Sequence, residues 1–238
     1  MPDLRWLLLS LEAPLLSFGG VTIDHLGVTR DFPAASMLTG FLANALGYRR
    51  TEWEKHQSLQ DRLVFAARRE RDAPSALITD TQNAKLEKND RGWTTWGMVE
   101  GRDGASYGAP HRRKRDYHMD ARVTVVLRLI AADSGPDLDR LKEALDRPAR
   151  PLFIGRKPSL PAERVYRGFV EAANAYGALA KSPGERGRAL WPLGEGPADG
   201  FDVDRILDLC DIRNWRTGLH GGSRKVVEGR VPGQRTAA

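Results

Sequence analysis

The stretch Ala121-Arg122-Val123-Thr124-Val125-Val126-Leu127-Arg128-Leu129-Ile130 alternates strictly enough to read as a β-strand, with Val123, Val125, Leu127 and Leu129 on one face and Thr124, Val126 and Arg128 on the other. Downstream of it, Pro136 opens a helix carrying Leu138, Leu141 and Leu145 on one side, and Pro148 closes that helix. The run Pro151-Leu152-Phe153-Ile154-Gly155-Arg156-Lys157-Pro158 then reads as a last, buried strand that ends in glycine and two cations. Upstream, Arg5 to Leu11 reads as a first strand. Ser36 can cap a helix whose Met37, Leu38, Phe41, Leu42, Ala45 and Leu46 share one face until Gly47 stops it. Thr51 and Glu54 have capping-box spacing for a second short helix, and Leu63 to Ala67 supplies another strand.

In chain order this is β-α-β, a long excursion, then β-α-β. The predicted class is α+β, a ferredoxin-like (split βαβ, RRM-like) domain. The excursion, residues 71–117, is rich in glycine and charge and far longer than an ordinary connection, so it reads as an inserted arm or thumb. Trp93 and Trp96 within it need an apolar surface to pack on, which points to a partner or to the parent domain. The predicted division is a ferredoxin-like RNA-binding domain over 1–160 and a small C-terminal subdomain over 161–238. That second part holds a helix candidate near Val170 to Leu179 and a late strand near Lys225 to Val231.

Composition narrows the function. The 238 residues are 41% hydrophobic, enough for real cores, and no apolar run approaches the ~20 residues that span a bilayer. Trp6 to Leu11 is too short for a signal peptide, so the expected location is cytoplasmic with no membrane partner. The single cysteine, Cys210, excludes an intrachain disulfide and a cysteine-cluster metal site, and it reads as a core residue. Net charge is +6 with a pI near 9.7. Three windows carry the excess: 111–128 has six cations against two acids, 147–167 has six against one, and 213–230 has five against one. Such asymmetry favours a polyanion-binding face, with nucleic acid as the partner.

Catalytic signatures are sparse. The paired histidines His111 and His118 lie in a basic stretch that repels a cation, so no metal and no other cofactor is expected. Gly19-Gly20 lacks the lysine of a phosphate loop. Metal-independent RNA cleavage needs only a base, an acid and a cation, which His25, Tyr48, His111, Tyr117, His118 and Lys157 contain. The cationic end of Pro151–Pro158 suits a phosphate, though taken alone the segment reads first as an ordinary strand edge with solvated charges.

The ordered set of motifs adds a family. Leu11-Glu12-Ala13-Pro14-Leu15-Leu16-Ser17-Phe18-Gly19, then Phe32-Pro33-Ala34-Ala35-Ser36 leading to Ala45-Leu46-Gly47-Tyr48-Arg49, resembles the amino-terminal half of the CasD family. Arg115-Asp116-Tyr117, Asp120-Ala121 and Pro151 through Lys157 resemble that family's later motifs in order and spacing, and the likeness covers about residues 5–175. CasD is the repeat-handle subunit of the type I-E CRISPR Cascade complex, an antiviral ribonucleoprotein. The resemblance implies a ferredoxin-like domain with a thumb and a small C-terminal part. It implies a non-catalytic role: gripping the 5′ repeat-derived handle of crRNA and joining the backbone subunit filament to the large subunit, with target DNA reached indirectly through the complex. By position, the implied RNA contacts are Arg30, Ser36, Arg112, Arg113, Lys114, Arg115, Tyr117, Gly155, Arg156 and Lys157. Arg224 and Lys225 add to the basic face, and the arm with Trp93 and Trp96 docks on a neighbouring subunit.

Two departures qualify the likeness. Ala34 and Ala35 replace a polar or basic pair, and Thr79-Asp80-Thr81-Gln82 stands where an Asp-Tyr-His-Thr run is common. The alternatives are a metal-independent endoribonuclease of CRISPR repeat RNA, as in the type I-C relative, and a general nucleic-acid-binding module outside any CRISPR complex.

Overall fold

A computed structural model describes residues 2–71, 77–84, 92–93, 99–100 and 111–234. The strands are β1 (Leu4–Leu16), β2 (Thr22–Ile23), β3 (Leu26–Gly27), β4 (Leu63–Arg71), β5 (Leu77–Ala84), β6 (Gly92–Trp93), β7 (Val99–Glu100), β8 (His111–Leu129), β9 (Tyr166–Ala172), β10 (Gly187–Pro192), β11 (Val203–Leu209) and β12 (Arg224–Val231). The helices are α1 (Ala35–Leu46), α2 (Trp53–Arg62), α3 (Leu138–Asp146) and α4 (Ala175–Lys181). The fold is mixed α+β, built on one large sheet ordered β11-β12-β10-β4-β8-β1-β9.

The alternating run around Val125 sits at the centre of that sheet. Its partners are antiparallel on both sides, β1 with Leu9 opposite Val125 and β4 with Ala67 opposite Val125. The two faces of β1 and β8 bury against different layers. Leu7, Leu9, Leu11, Val123, Val125 and Leu127 face α1 and α3, where Leu38, Leu42 and Leu141 are fully buried. Trp6, Leu8 and Val126 face α4 and the buried Trp191. Each such aliphatic side chain contributes about 1.5–3 kcal/mol by leaving water, so a sheet covered on both faces is held chiefly by these two layers. Trp6 and Trp191 satisfy their indole N–H groups on the carbonyls of Ala172 and Pro197, both at 3.0 Å.

β8 is 19 residues long and carries the sheet beyond its pairing with β4. Its amino-terminal half pairs with β5 from Leu77 opposite His118 to Ala84 opposite His111. The polarity that made 71–117 read as no core element has a physical cause here: the side chains of residues 77–83 are exposed, so nothing selects for apolar alternation. β6 and β7 pair with each other, Trp93 opposite Val99. Trp96 lies outside the described residues.

Several expectations are corrected. Pro151–Pro158 is a loop; the strand beside β1 is β9, with Trp6 opposite Val170. Only Ile154 of that apolar run is fully buried, and it is pinned by its N–H to the Ser159 carbonyl at 2.7 Å. The helix expected from Val170 begins later, at Ala175, where the Asn174 side chain caps it by accepting from the Gly177 N–H at 2.8 Å. Ser36 does not cap α1. Instead the buried Asp211, far along the chain, accepts from the Ala35 N–H at 2.9 Å. The Thr51–Glu54 box is absent too; Glu52 precedes α2 and accepts from the Arg49 N–H at 2.6 Å. Gly47 does end α1, in the left-handed conformation at φ 83°. On the far side of residue 160, β9 joins one edge of the sheet and β10 joins β4 through Leu190 opposite Ala67. Cys210 is exposed, contrary to its reading as core.

Arg68 ties this C-terminal layer to the sheet. Its side chain is fully buried, donates to Glu70 at 2.8 Å, and donates to the carbonyls of Leu179, Pro232 and Pro183 at 2.7, 2.6 and 2.7 Å. A guanidinium can enter the interior only because carboxylate and carbonyls replace its water.

Candidate nucleic-acid interface

The basic residues anticipated from sequence divide into three kinds once their partners are known. The first kind is exposed. Arg112, Arg113 and Lys114 follow one another along β8 and all three are exposed, as is Lys157. None of the four has an acidic partner within ion-pair distance among the described residues. Their charge therefore remains available to solvent or to a ligand.

The second kind is spent on the protein's own backbone. Arg156 donates to the carbonyls of Asp116 at 2.9 Å and Gly27 at 2.7 Å, and its guanidinium lies 4.8 Å from the ring centre of Tyr117. Tyr117 is 3% exposed, so it is a packing partner beneath that cation. Arg115 donates to the His25 carbonyl at 3.3 Å. Together these two arginines clamp β3 to β8, whose parallel pairing sets Gly27 opposite Arg115. Gly155 lets the loop approach: its φ is 83°, and a Cβ there would lie 1.8 Å from the Ser17 carbonyl oxygen. The Arg156 clamp and the Gly155 approach fix the backbone that carries the exposed Lys157.

The third kind pairs with acids. Arg224 makes a two-pronged bond to Asp211, Nη2 to Oδ2 at 2.9 Å, and its guanidinium lies 4.3 Å from the Phe65 ring centre. Arg30 donates to the Cys210 carbonyl at 2.6 Å, so Arg30 and Arg224 converge on the segment that caps α1. Ser36 sits in the first turn of α1, its N–H donated to the Asp211 carbonyl at 3.0 Å. Lys225 is exposed on β12 opposite Asp208, away from the β8 run. The side chain of Trp93 and the whole of Trp96 fall outside the described residues. Across the charge windows, Arg128, Arg164 and Arg167 likewise pair with Glu195, Asp146 and Glu163. The three windows thus do not deliver all their charge to one face.

Of the residues considered for cleavage, Tyr117 and His118 are buried. His118 is 4% exposed and its Nε2 meets the Arg30 carbonyl at 2.8 Å. A carbonyl only accepts, so that nitrogen carries the proton. Burial pushes the Tyr48 phenol above its ordinary pKa, which favours the protonated form over a base. No group of three or more His, Cys, Asp or Glu side chains with metal-binding geometry occurs among the described residues. No described helix is long and apolar enough to cross a membrane.

Sequence reasoning passed over one feature. Arg213-Asn214-Trp215-Arg216 interleaves cation and aromatic, and the structure sets Arg213 and Trp215 in the wall of a cavity of about 350 Å³ together with Ser36 and Gly155. The interleaving was the available signal.

A family model described as CRISPR-associated protein (Cas_Cas5) matches residues 6–227. The Cascade subunit CasD of Escherichia coli (strain K12) is 26% identical over 174 residues, 73% of this chain and 75% of that protein. Among solved structures, a chain of a CRISPR RNA-guided surveillance complex superposes with a TM-score of 0.66 at 23% identity, covering 95% of this chain and 91% of that one. A crystal structure of a Cas protein gives 0.59 at 22% identity, covering 95% of each. The family match spans nearly the whole sheet, from β1 into β12, and the chain belongs to the CRISPR-associated Cas5 protein family.

Proposed function

We propose that this chain is a non-catalytic, RNA-binding subunit of a type I-E Cascade surveillance complex in the cytoplasm. In this reading it holds the 5′ repeat-derived handle of crRNA and links the backbone filament to the large subunit, meeting target DNA only through the complex. The inner strand order β9-β1-β8-β4, antiparallel throughout with α1, α2 and α3 in the crossovers, supports a ferredoxin-like core. The observation that carries the RNA assignment is that Arg112, Arg113, Lys114 and Lys157 are exposed with no acidic partner among the described residues, next in the chain to Arg115 and Arg156, which hold β3 to β8. Arginine grips a phosphate through two donors, so an exposed row of such side chains suits a sugar-phosphate backbone. The arm that β5 and β8 begin is the element available to a neighbouring subunit.

Burial of Tyr117 and His118 favours binding over cleavage. The test is incubation of the purified chain with repeat RNA in the absence of metal. The expected result is RNA bound and uncut. A discrete product at the handle boundary that vanishes in His118→Ala, Tyr117→Phe or Lys157→Ala would establish the endoribonuclease instead.

A further inference from the structure

A second cationic site lies away from the β8 run. A groove of about 820 Å³ runs between α1, the turn into α2 and the loop 213–218, and its walls include Tyr48, Arg50, Arg150, Arg213, Trp215 and Arg216. It shares Gly40, Asn44, Phe153, Arg213 and Trp215 with the smaller cavity that reaches Gly155, two residues from Lys157. The two cavities therefore share walls along the flank of α1.

The loop that forms its wall is bolted to α2. Gln60 donates to the Arg213 carbonyl at 2.9 Å and accepts from the Arg213 N–H and the Trp215 indole, both at 3.1 Å. Gln57 accepts from the Trp215 N–H at 3.2 Å. The Trp215 ring stacks on His56 with centroids 4.8 Å apart and planes at 30°, and the Arg213 guanidinium lies 5.2 Å from the Trp215 ring centre. Arg213 is thus pre-set before any ligand arrives.

Its charge is also uncompensated. Among the described residues Arg213 has no acidic partner, and its Nε is buried without a hydrogen bond. Burial, and then the neighbouring charge of Arg50, push its pKa below the ordinary arginine value. Arg224 and Arg68, which also leave water, are matched by Asp211 and Glu70. Two like charges at a partly dry wall cost stability, and an anion between them would reverse that cost. A tetrahedral phosphodiester matches the guanidinium fork, and cations interleaved with aromatic rings, here Arg213 over Trp215 and Arg216 over Trp53, are the lining that single-stranded nucleic acid uses.

We infer that Arg213 and Arg50 form a second phosphate seat for the same single-stranded RNA, on the flank of α1. This rests on the RNA-binding reading above, though not on recognition of the handle sequence, because phosphate contacts carry none.

The test uses the full chain, a handle-bearing crRNA, a scrambled RNA of equal length and an unstructured uridine octamer, with affinities and partner-subunit association measured across a salt series for wild type, Arg213→Gln and Arg50→Gln. The expected result is a loss of about three- to tenfold for both RNAs with either variant, and a salt slope shallower by about 0.7 per lost contact. The thermal midpoint of Arg213→Gln should stay level or rise, because the substitution removes a repelled charge; a structural arginine would lower it. Arg50 is exposed, so Arg50→Gln remains informative even if Arg213→Gln were unstable. Unchanged affinities and slopes overturn the inference while leaving handle binding intact. Equal wild-type binding of handle and scrambled RNA, with the shallower slope still seen in the variants, overturns handle recognition and supports the seat. Unchanged RNA binding with loss of partner-subunit association would assign the groove to an acidic protein surface and overturn it.

Discussion

The guanidinium of Arg156 lies 4.8 Å from the ring centre of Tyr117 and donates to the carbonyls of Asp116 and Gly27. Its neighbour Lys157 is exposed. Adjacent cations therefore have separate tasks. Arg156→Ala should lower stability by about 2 kcal/mol, since it strips charged donors from half-buried carbonyls, and chemical denaturation would read it. Lys157→Ala should leave the denaturation midpoint in place and weaken RNA binding several-fold, with a salt slope shallower by about 0.7.

Arg68→Met should be the more damaging core change. It leaves Glu70 buried without its cation and orphans the carbonyls of Leu179, Pro183 and Pro232, at a cost of about 3–5 kcal/mol in urea unfolding. The double variant Arg68→Met, Glu70→Met should recover part of that loss. No recovery would mean that the carbonyl bonds, not the ion pair, dominate.

Acid sensitivity should trace in part to Glu228. Burial works to raise its pKa, but hydrogen bonds from Arg188 and Arg205, at 2.8 and 2.9 Å, outweigh it and hold the carboxyl below its ordinary 4.5. A depressed carboxylate contributes stability above its unfolded pKa, and that contribution disappears as pH falls through the folded value. Stability should therefore decline between about pH 5 and pH 3, and Glu228→Gln should make that decline shallower while costing stability at neutral pH.

Deleting residues 85–104 should leave a folded, RNA-binding chain, because the ladder from Leu77–His118 to Ala84–His111 lies outside the deletion. Assembly with partner subunits should fail. Entry of the deletion variant into the complex at full stoichiometry would show that the arm is not the docking element.

How much of this was legible in sequence depends on where burial falls. Val123, Val125 and Leu127 announce their strand because one face of it is fully buried, and Gly47 marks the end of α1 because a left-handed cap favours glycine. Pro151–Ile154 misleads because an apolar run can be buried by a loop as well as by a strand; Gly155 turns the chain back over Ser17 instead of extending it. β9 hides because Arg167, Gly168 and Glu171 interrupt its pattern, and its pairing with β1 supplies what local propensity lacks. The cap of α1 by Asp211 joins residues 176 apart in sequence, a distance over which no spacing rule operates. The candidate site was legible as composition, in the run of cations before Tyr117. Which cations were already spent on carbonyls and carboxylates required the coordinates.

The central claim is that exposed Arg112, Arg113, Lys114 and Lys157 grip a crRNA handle. The most direct test is competition at one fixed salt concentration, in which labelled handle RNA bound to the full chain is displaced by unlabelled handle or by scrambled RNA of equal length. The account predicts that scrambled RNA competes at least about tenfold less well, and that Arg112→Ala with Lys157→Ala weakens handle binding without cleavage appearing. Equal displacement by the two RNAs would contradict it.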